Sequence, residues 1–198
     1  MEEEQKSAKD YLNQLGKKII VIGPRSNDAA CLIGRDTEID LKGKIDDYEL
    51  EEYEYHFKQG ENETTVPVFQ MKGLKTVKNS FLLRDMNFKS SLCILVYIAG
   101  MMGELEKMYE KYYKGIKKIN KNCQFILVGI RLEMDENART IEMKNIKNTV
   151  TISNFKKVFV IPTKNPKNVD NILYEAAEIL LDEDFEKNAG GDCGCLLI

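Results

Sequence analysis

Four short apolar runs constrain this chain most: Ile19-Ile20-Val21-Ile22 within Lys17–Gly23, then Leu92–Ile98, Phe125–Gly129 and Val158–Ile161. Each is too short for a core helix and none alternates with polar residues, so each reads as a strand buried on both faces. Such strands need a covering layer on either side. Between the later runs lie helical patterns. One runs from about Gly103 to Ile119, with Leu105, Met108, Tyr109, Tyr112, Ile116 and Ile119 on one face. The other runs from Asn168 to Leu181, with Val169, Ile172, Leu173, Ala176, Ala177 and Leu180 inward. The stretch Ala29–Ile33 suits the start of a further helix. Leu50–Phe57 and Thr64–Gln70 are aromatic and β-branched, and Lys58–Glu63 joins them as a hairpin. The expectation is an α/β fold: a mostly parallel six-stranded sheet, one antiparallel edge strand from the hairpin, and helices on both faces. Residues 135–157 are hardest to read, because Thr149-Val150-Thr151-Ile152 is β-branched where a helix would otherwise be expected.

With 198 residues, length favours one domain. The expected organisation is a polar extension over 1–16, the domain over 17–181 and a flexible acidic tail over 182–198. A net charge of −3 argues against a general nucleic-acid binder. The acidic start, Met1-Glu2-Glu3-Glu4, lacks the pattern of a secretory signal, and no apolar run approaches the ~20 residues of a membrane span. Cys31, Cys93 and Cys123 stand singly in apolar contexts and read as reduced core residues of a cytosolic protein. His56, the one histidine, has no nucleophile or metal ligand beside it and reads as structural.

The order of elements resembles the Ras-like small GTPases, closest to their Rab branch, over about Lys17–Leu181 and the tail. Ile19-Ile20-Val21-Ile22-Gly23 resembles the first strand and leading glycine of the phosphate loop. Gly73 falls at the glycine of the Asp-x-x-Gly element, and Ile94-Leu95-Val96-Tyr97 resembles the strand Leu-Val-Tyr-Asp. Phe125–Gly129 resembles the strand leading to the guanine-binding motif, and Asn168-Val169 the start of the last helix. The resemblance implies a degenerate nucleotide pocket formed by Gly23, Arg25, Ser26, Asp28, Ala29, Ala30, Gly73, Arg131, Glu133 and Lys164.

The chemistry of that pocket departs from the family. A phosphate loop needs backbone N–H groups that wrap phosphate, a lysine on the β/γ-phosphates and a hydroxyl on Mg²⁺. Here Asp28 replaces the second glycine, Ala29 the lysine and Ala30 the hydroxyl, while Pro24 removes a donor. Arg25 and Ser26 are the loop's remaining candidates for a phosphate contact, the alternative being a surface loop that binds nothing. No Ser or Thr lies between Glu38 and Tyr55 to cap the metal. Gln70-Met71-Lys72-Gly73-Leu74 stands for Asp-x-x-Gly-Gln, so the carboxylate behind Mg²⁺ and the water-positioning glutamine are both absent. Ile130-Arg131-Leu132-Glu133 stands for Asn-Lys-x-Asp, and Pro162-Thr163-Lys164 for Ser-Ala-Lys. Hydrogen bonds to charged groups contribute ~1.5–3 kcal/mol each. Losing the lysine, the metal and a loop donor or two then removes ~5–9 kcal/mol, a fall of ~10³ to 10⁶ in affinity. The expectation is a pseudo-GTPase with no catalytic residue, no Mg²⁺ site and weak GTP or GDP binding or none.

After Leu181 the chain is acidic and glycine-ended, and it closes on Cys193-Gly194-Cys195-Leu196-Leu197-Ile198. A cysteine fourth from the end before two aliphatic residues reads as a prenylation signal on Cys195, and the aliphatic last residue favours geranylgeranyl. One chain anchors only marginally. The linker holds five carboxylates and one lysine, which excludes a polybasic second signal and leaves Cys193, geranylgeranylated or palmitoylated, as the second lipid site. The expected partners are a membrane, met from its cytoplasmic side, the prenyltransferase machinery, and protein effectors on the surface of residues 50–90. The expected role is partner binding in vesicle traffic or signalling. The alternatives are a divergent but active GTP-binding Rab-type GTPase, and an α/β binding module of flavodoxin-like type.

Overall fold

The computed structural model describes residues 16–23, 32–33, 40–45, 50–71, 91–101, 103–131, 144–151, 154–162 and 166–182, with backbone alone at 40–45, 162 and 166. Its centre is a seven-stranded sheet. The strands are β1 (Lys18–Ile22), β2 (Asp40–Ile45), β3 (Leu50–Gln59), β4 (Asn62–Met71), β5 (Ser91–Ala99), β6 (Gln124–Arg131) and β7 (Lys157–Pro162). They lie in the order β2-β3-β4-β1-β5-β6-β7. All six expected strands are present, and β2 is added to them. Strands β4, β1, β5, β6 and β7 are mutually parallel; β3 runs against β4, and β2 against β3. The antiparallel strand therefore exists but is not the edge, because β2 pairs along its outer side. The sequence Asp40-Leu41-Lys42-Gly43-Lys44-Ile45 is polar with an internal glycine, and its register slips between Leu41 and Gly43. That composition hides an edge strand from any hydrophobic pattern.

Alternation along the central strands sends Ile19 and Val21 to one face and Ile20 and Ile22 to the other. The first face is covered by the helix Pro166–Leu181, whose Val169, Ile172, Leu173, Ala176, Ala177 and Leu180 are all buried. The second is covered by a helix over 104–119, here α1, and by a short one over 144–149, α2; Pro166–Leu181 is α3. Ile146 carries α2 into the core, and Val150 closes it by a backbone bond to the Ile146 carbonyl at 2.9 Å. The helix thus ends where the β-branched run takes over.

Helix α1 is α-helical at Glu104–Lys107, π-helical at Met108–Tyr113 and α-helical again at Lys114–Ile119. The wider turn shifts the inward face. Tyr113 becomes buried, stacked on Tyr109 at 4.9 Å and set against Phe125 and Phe155. Ile119, expected on the inward face, is instead 46% exposed. A fixed 3.6-residue period does not follow a π-turn, which accounts for both differences.

The hairpin is tighter than the six-residue connection expected. Gln59 pairs with Asn62 across a two-residue turn in which Gly60 takes φ 63°. Its outer part rests on α3, through the Tyr55 hydroxyl on the Asp170 carboxylate at 3.2 Å and Phe57 against Tyr174 at 5.0 Å.

Candidate functional site

In an open parallel sheet, ligands bind beyond the carboxyl ends of the strands, at the point where the strand order reverses. Here that point is β1. The chain leaves it for β2–β4 on one side and then crosses to β5 on the other. The carboxyl-end edge carries Gly23 just after β1, Met71 ending β4, Ala99 ending β5, Arg131 ending β6 and Pro162 ending β7. Gly23 is buried, and its N–H donates to the Met71 carbonyl at 3.1 Å, which prolongs the β1–β4 ladder by one bond. Arg131 is half-buried, in register with Ala99 and Pro162. Of the candidate pocket residues these two are described. Arg25, Ser26, Asp28, Ala29, Ala30, Gly73, Glu133 and Lys164 lie outside the described residues, as do Cys193 and Cys195.

The informative side chain at this edge is Gln70, next to last in β4 and 2% exposed. Its amide oxygen accepts the Ile33 N–H at 2.9 Å, and its amide nitrogen donates to the Ile33 carbonyl at 2.8 Å. One side chain thereby satisfies both backbone polar groups of one buried residue, as a neighbouring strand would. The same nitrogen lies 3.3 Å from Glu51 Oε2, which also accepts the Tyr53 hydroxyl at 2.9 Å. Leu32 and Ile33 are buried with Val21, Val68 and α3, and their backbone is bent. The expected helix over Ala29–Ile33 is therefore absent at 32–33. There the Ile33 backbone bonds to the Gln70 side chain.

A second feature lies one strand away. Tyr97, 1% exposed on β5, is paired with Gly129 of β6, and its ring occupies the space over that glycine. At the end of β5, Gly100 at φ 85° and Gly103 at φ 79° turn the chain into α1, leaving Met101 half exposed between them.

The remaining candidate groups lie apart from this edge. Cys93 and Cys123 are buried free thiols, with Cys123 Sγ donating to Cys93 Sγ at 3.4 Å. Burial pushes the Cys93 thiol well above its ordinary pKa, and the Cys123 contact adds to the shift. This is the opposite of an activated cysteine. Lys18, 1% exposed, is shifted downward by burial, with Cys93 nearby acting against that shift. His56 is exposed, 3.4 Å from the Thr65 hydroxyl and 3.8 Å from the Glu63 carboxylate. Among the described residues no group of three His, Cys, Asp or Glu side chains is placed to hold a metal ion. No described helix is long and apolar enough to cross a membrane.

No protein-family model matches the chain, and no curated protein matches it closely enough to count as a relative.

What sequence reading missed here is the use of Gln70. A lone polar residue between Phe69 and Met71, deep in a central strand, is the signal that could have revealed it.

Proposed function

We propose that this chain is a partner-binding protein of Ras-like small-GTPase type, nearest the Rab branch, in which nucleotide binding and GTP hydrolysis are weak or lost. The observation that carries the reading is the Gln70–Ile33 clamp. At the position where the resemblance puts the carboxylate behind Mg²⁺, the chain has a neutral amide whose oxygen and nitrogen are both occupied by a buried peptide. An amide so engaged offers no negative charge to a hard cation, which takes oxygen ligands and favours carboxylates. Gln70 thus does not fit a role in a Mg²⁺ site. The strand order β3-β4-β1-β5-β6-β7, with β3 alone reversed, supports the family reading at the level of topology; fold alone does not fix function.

Under this reading the protein acts through its surface. The hairpin of β3 and β4 is backed by α3 at Tyr55 and Phe57, and with the segment up to residue 90 it is the surface assigned to protein effectors. Prenylation of Cys195, with a second lipid on Cys193, would hold the domain at the cytoplasmic face of a membrane, in vesicle traffic or signalling.

The test is to denature the full chain, purified without added nucleotide, and to chromatograph the released small molecules. The reading expects guanine nucleotide far below one mole per mole of protein. Near-stoichiometric GDP or GTP would replace it with a divergent but active GTPase.

A further inference from the structure

The parallel strands begin, and α1 and α3 end, at the end of the domain opposite the candidate site. Lysines gather there on the α1 side. Lys117 and Lys118 lie in the last turn of α1, Lys121 in the turn to β6, and Lys156 just before β7. Lys117 lies over the Phe125 ring at 5.6 Å and donates to the Lys121 carbonyl at 2.8 Å. The Lys156 N–H donates to the Phe125 carbonyl at 2.7 Å, so both lysines flank one residue. Burial lowers the Lys117 pKa; Cys123 and Cys93 act against that shift, and the like charge of Lys156 adds to it.

Lysines at a helix C-terminus also complement its dipole. That accounts for the charge but not for Ile119, which is 46% exposed among them and is one of two large apolar side chains so exposed in the described residues. An exposed apolar side chain in a lysine-rich turn suits the headgroup boundary of a bilayer, where the apolar group enters and the cations meet anionic lipid. The chain's own path adds a further argument. Lys17 Nζ donates to the Asp182 carbonyl at 3.2 Å, so Asp182, the last described residue before Cys193 and Cys195 in sequence, lies at this same end.

We propose that the Ile119 patch, with Lys117, Lys118, Lys121 and Lys156, is a docking face for an anionic lipid bilayer. It supplies the electrostatic contact that the acidic tail lacks. The acidic turn of the hairpin, with Glu61 and Glu63, lies at the same end but on the β3–β4 side of the sheet. Contact is thus concentrated on the β5–β7 half, and the carboxyl-end edge with Gln70 faces away from the membrane. This inference deepens the membrane reading above and rests on it for its biological setting, but its physical test needs no lipid anchor.

The full unlipidated chain is sedimented with vesicles of phosphatidylcholine alone and with about 30% phosphatidylserine added. Binding is expected only to the anionic vesicles and is expected to fall with salt. Lys118→Gln with Lys121→Gln, both exposed positions, should weaken it roughly 25-fold, about fivefold per lysine. Lys107→Gln with Lys111→Gln, the same charge change in the first part of α1, should leave it within about twofold. Circular dichroism confirms that both variants fold. No preference for anionic vesicles, or equal losses in the two variants, would overturn the proposal. The anchor is read separately, by the mass of the chain from eukaryotic cells. A missing prenyl group would remove that reading and leave the vesicle result standing.

Discussion

Gly129 lies so close beneath the Tyr97 ring that a Cβ at that position would sit 2.7 Å from the phenolic oxygen and 2.9 Å from Cζ. The two residues are partners in the β5–β6 ladder, so neither backbone can retreat without loss of strand pairing. A glycine in a central strand normally weakens it. Here it makes room for a large aromatic side chain. Gly129→Ala should therefore destabilise the domain by about 1–3 kcal/mol, the usual range for overpacking. Adding Tyr97→Phe removes the nearest atom and should recover part of that loss in a double-mutant cycle. Urea unfolding gives the numbers, and an unchanged midpoint for Gly129→Ala would contradict the packing described.

Replacing Gln70 with leucine keeps the apolar volume but strands the Ile33 N–H and carbonyl. Each buried group left without a partner costs about 1–3 kcal/mol, so a loss of roughly 2–6 kcal/mol is expected. Hydrogen exchange at the Ile33 amide should accelerate in step. Exchange as slow as in the parent chain would mean that another group holds that peptide.

The π-turn in α1 yields a contrast between two residues of one helix. Tyr113→Ala removes a ring packed against Tyr109, Phe125 and Phe155 and should cost about 3–5 kcal/mol. Ile119→Ala, at a half-exposed position, should stay within about 0.5 kcal/mol. Denaturant midpoints of the two variants decide it, and equal costs would restore an unbroken α-helix with Ile119 inward.

The buried thiol gives a pH dependence. Cys93 is held above its ordinary pKa chiefly by burial, so the folded chain keeps a proton that the unfolded chain gives up above about pH 8.5. Its contribution is level below that pH. Above it, stability falls by about 1.4 kcal/mol per unit until the raised folded pKa is passed. Lys18 works in the opposite sense, because its folded pKa is lowered and the unfolded chain then binds more protons. The parent curve mixes the two, but a difference separates them. Between about pH 8 and about pH 10, Cys93→Ala should lose less stability than the parent. Parallel curves would show that Cys93 is not desolvated as described.

Much of the fold was legible because burial on two faces leaves a plain trace. Ile19–Ile22, Leu92–Ile98, Phe125–Gly129 and Val158–Ile161 could be little else than strands of a sheet covered on both faces, and every inward residue named for α3 is buried. The misses share a cause, in that the deciding interaction was not one of hydrophobic period. Strand β2 is held at the edge by backbone pairing with β3, which its polar sequence does not announce. Tyr113 and Ile119 exchange places through a change in helical hydrogen bonding. Ile33 is bent because a side chain 37 positions away takes its backbone bonds. In the candidate site, a lone amide at position 70, where the resemblance implies a carboxylate, was visible in sequence. The new use of the amide needed the distance to Ile33.

The central claim, that this fold no longer works through guanine nucleotide, is tested most directly by calorimetric titration of GTP and of GDP into the full chain with Mg²⁺ present. The account expects no saturable heat in the micromolar range and the same result when Mg²⁺ is left out. A dissociation constant of about 1 μM or tighter, roughly −8 kcal/mol of binding, would contradict it.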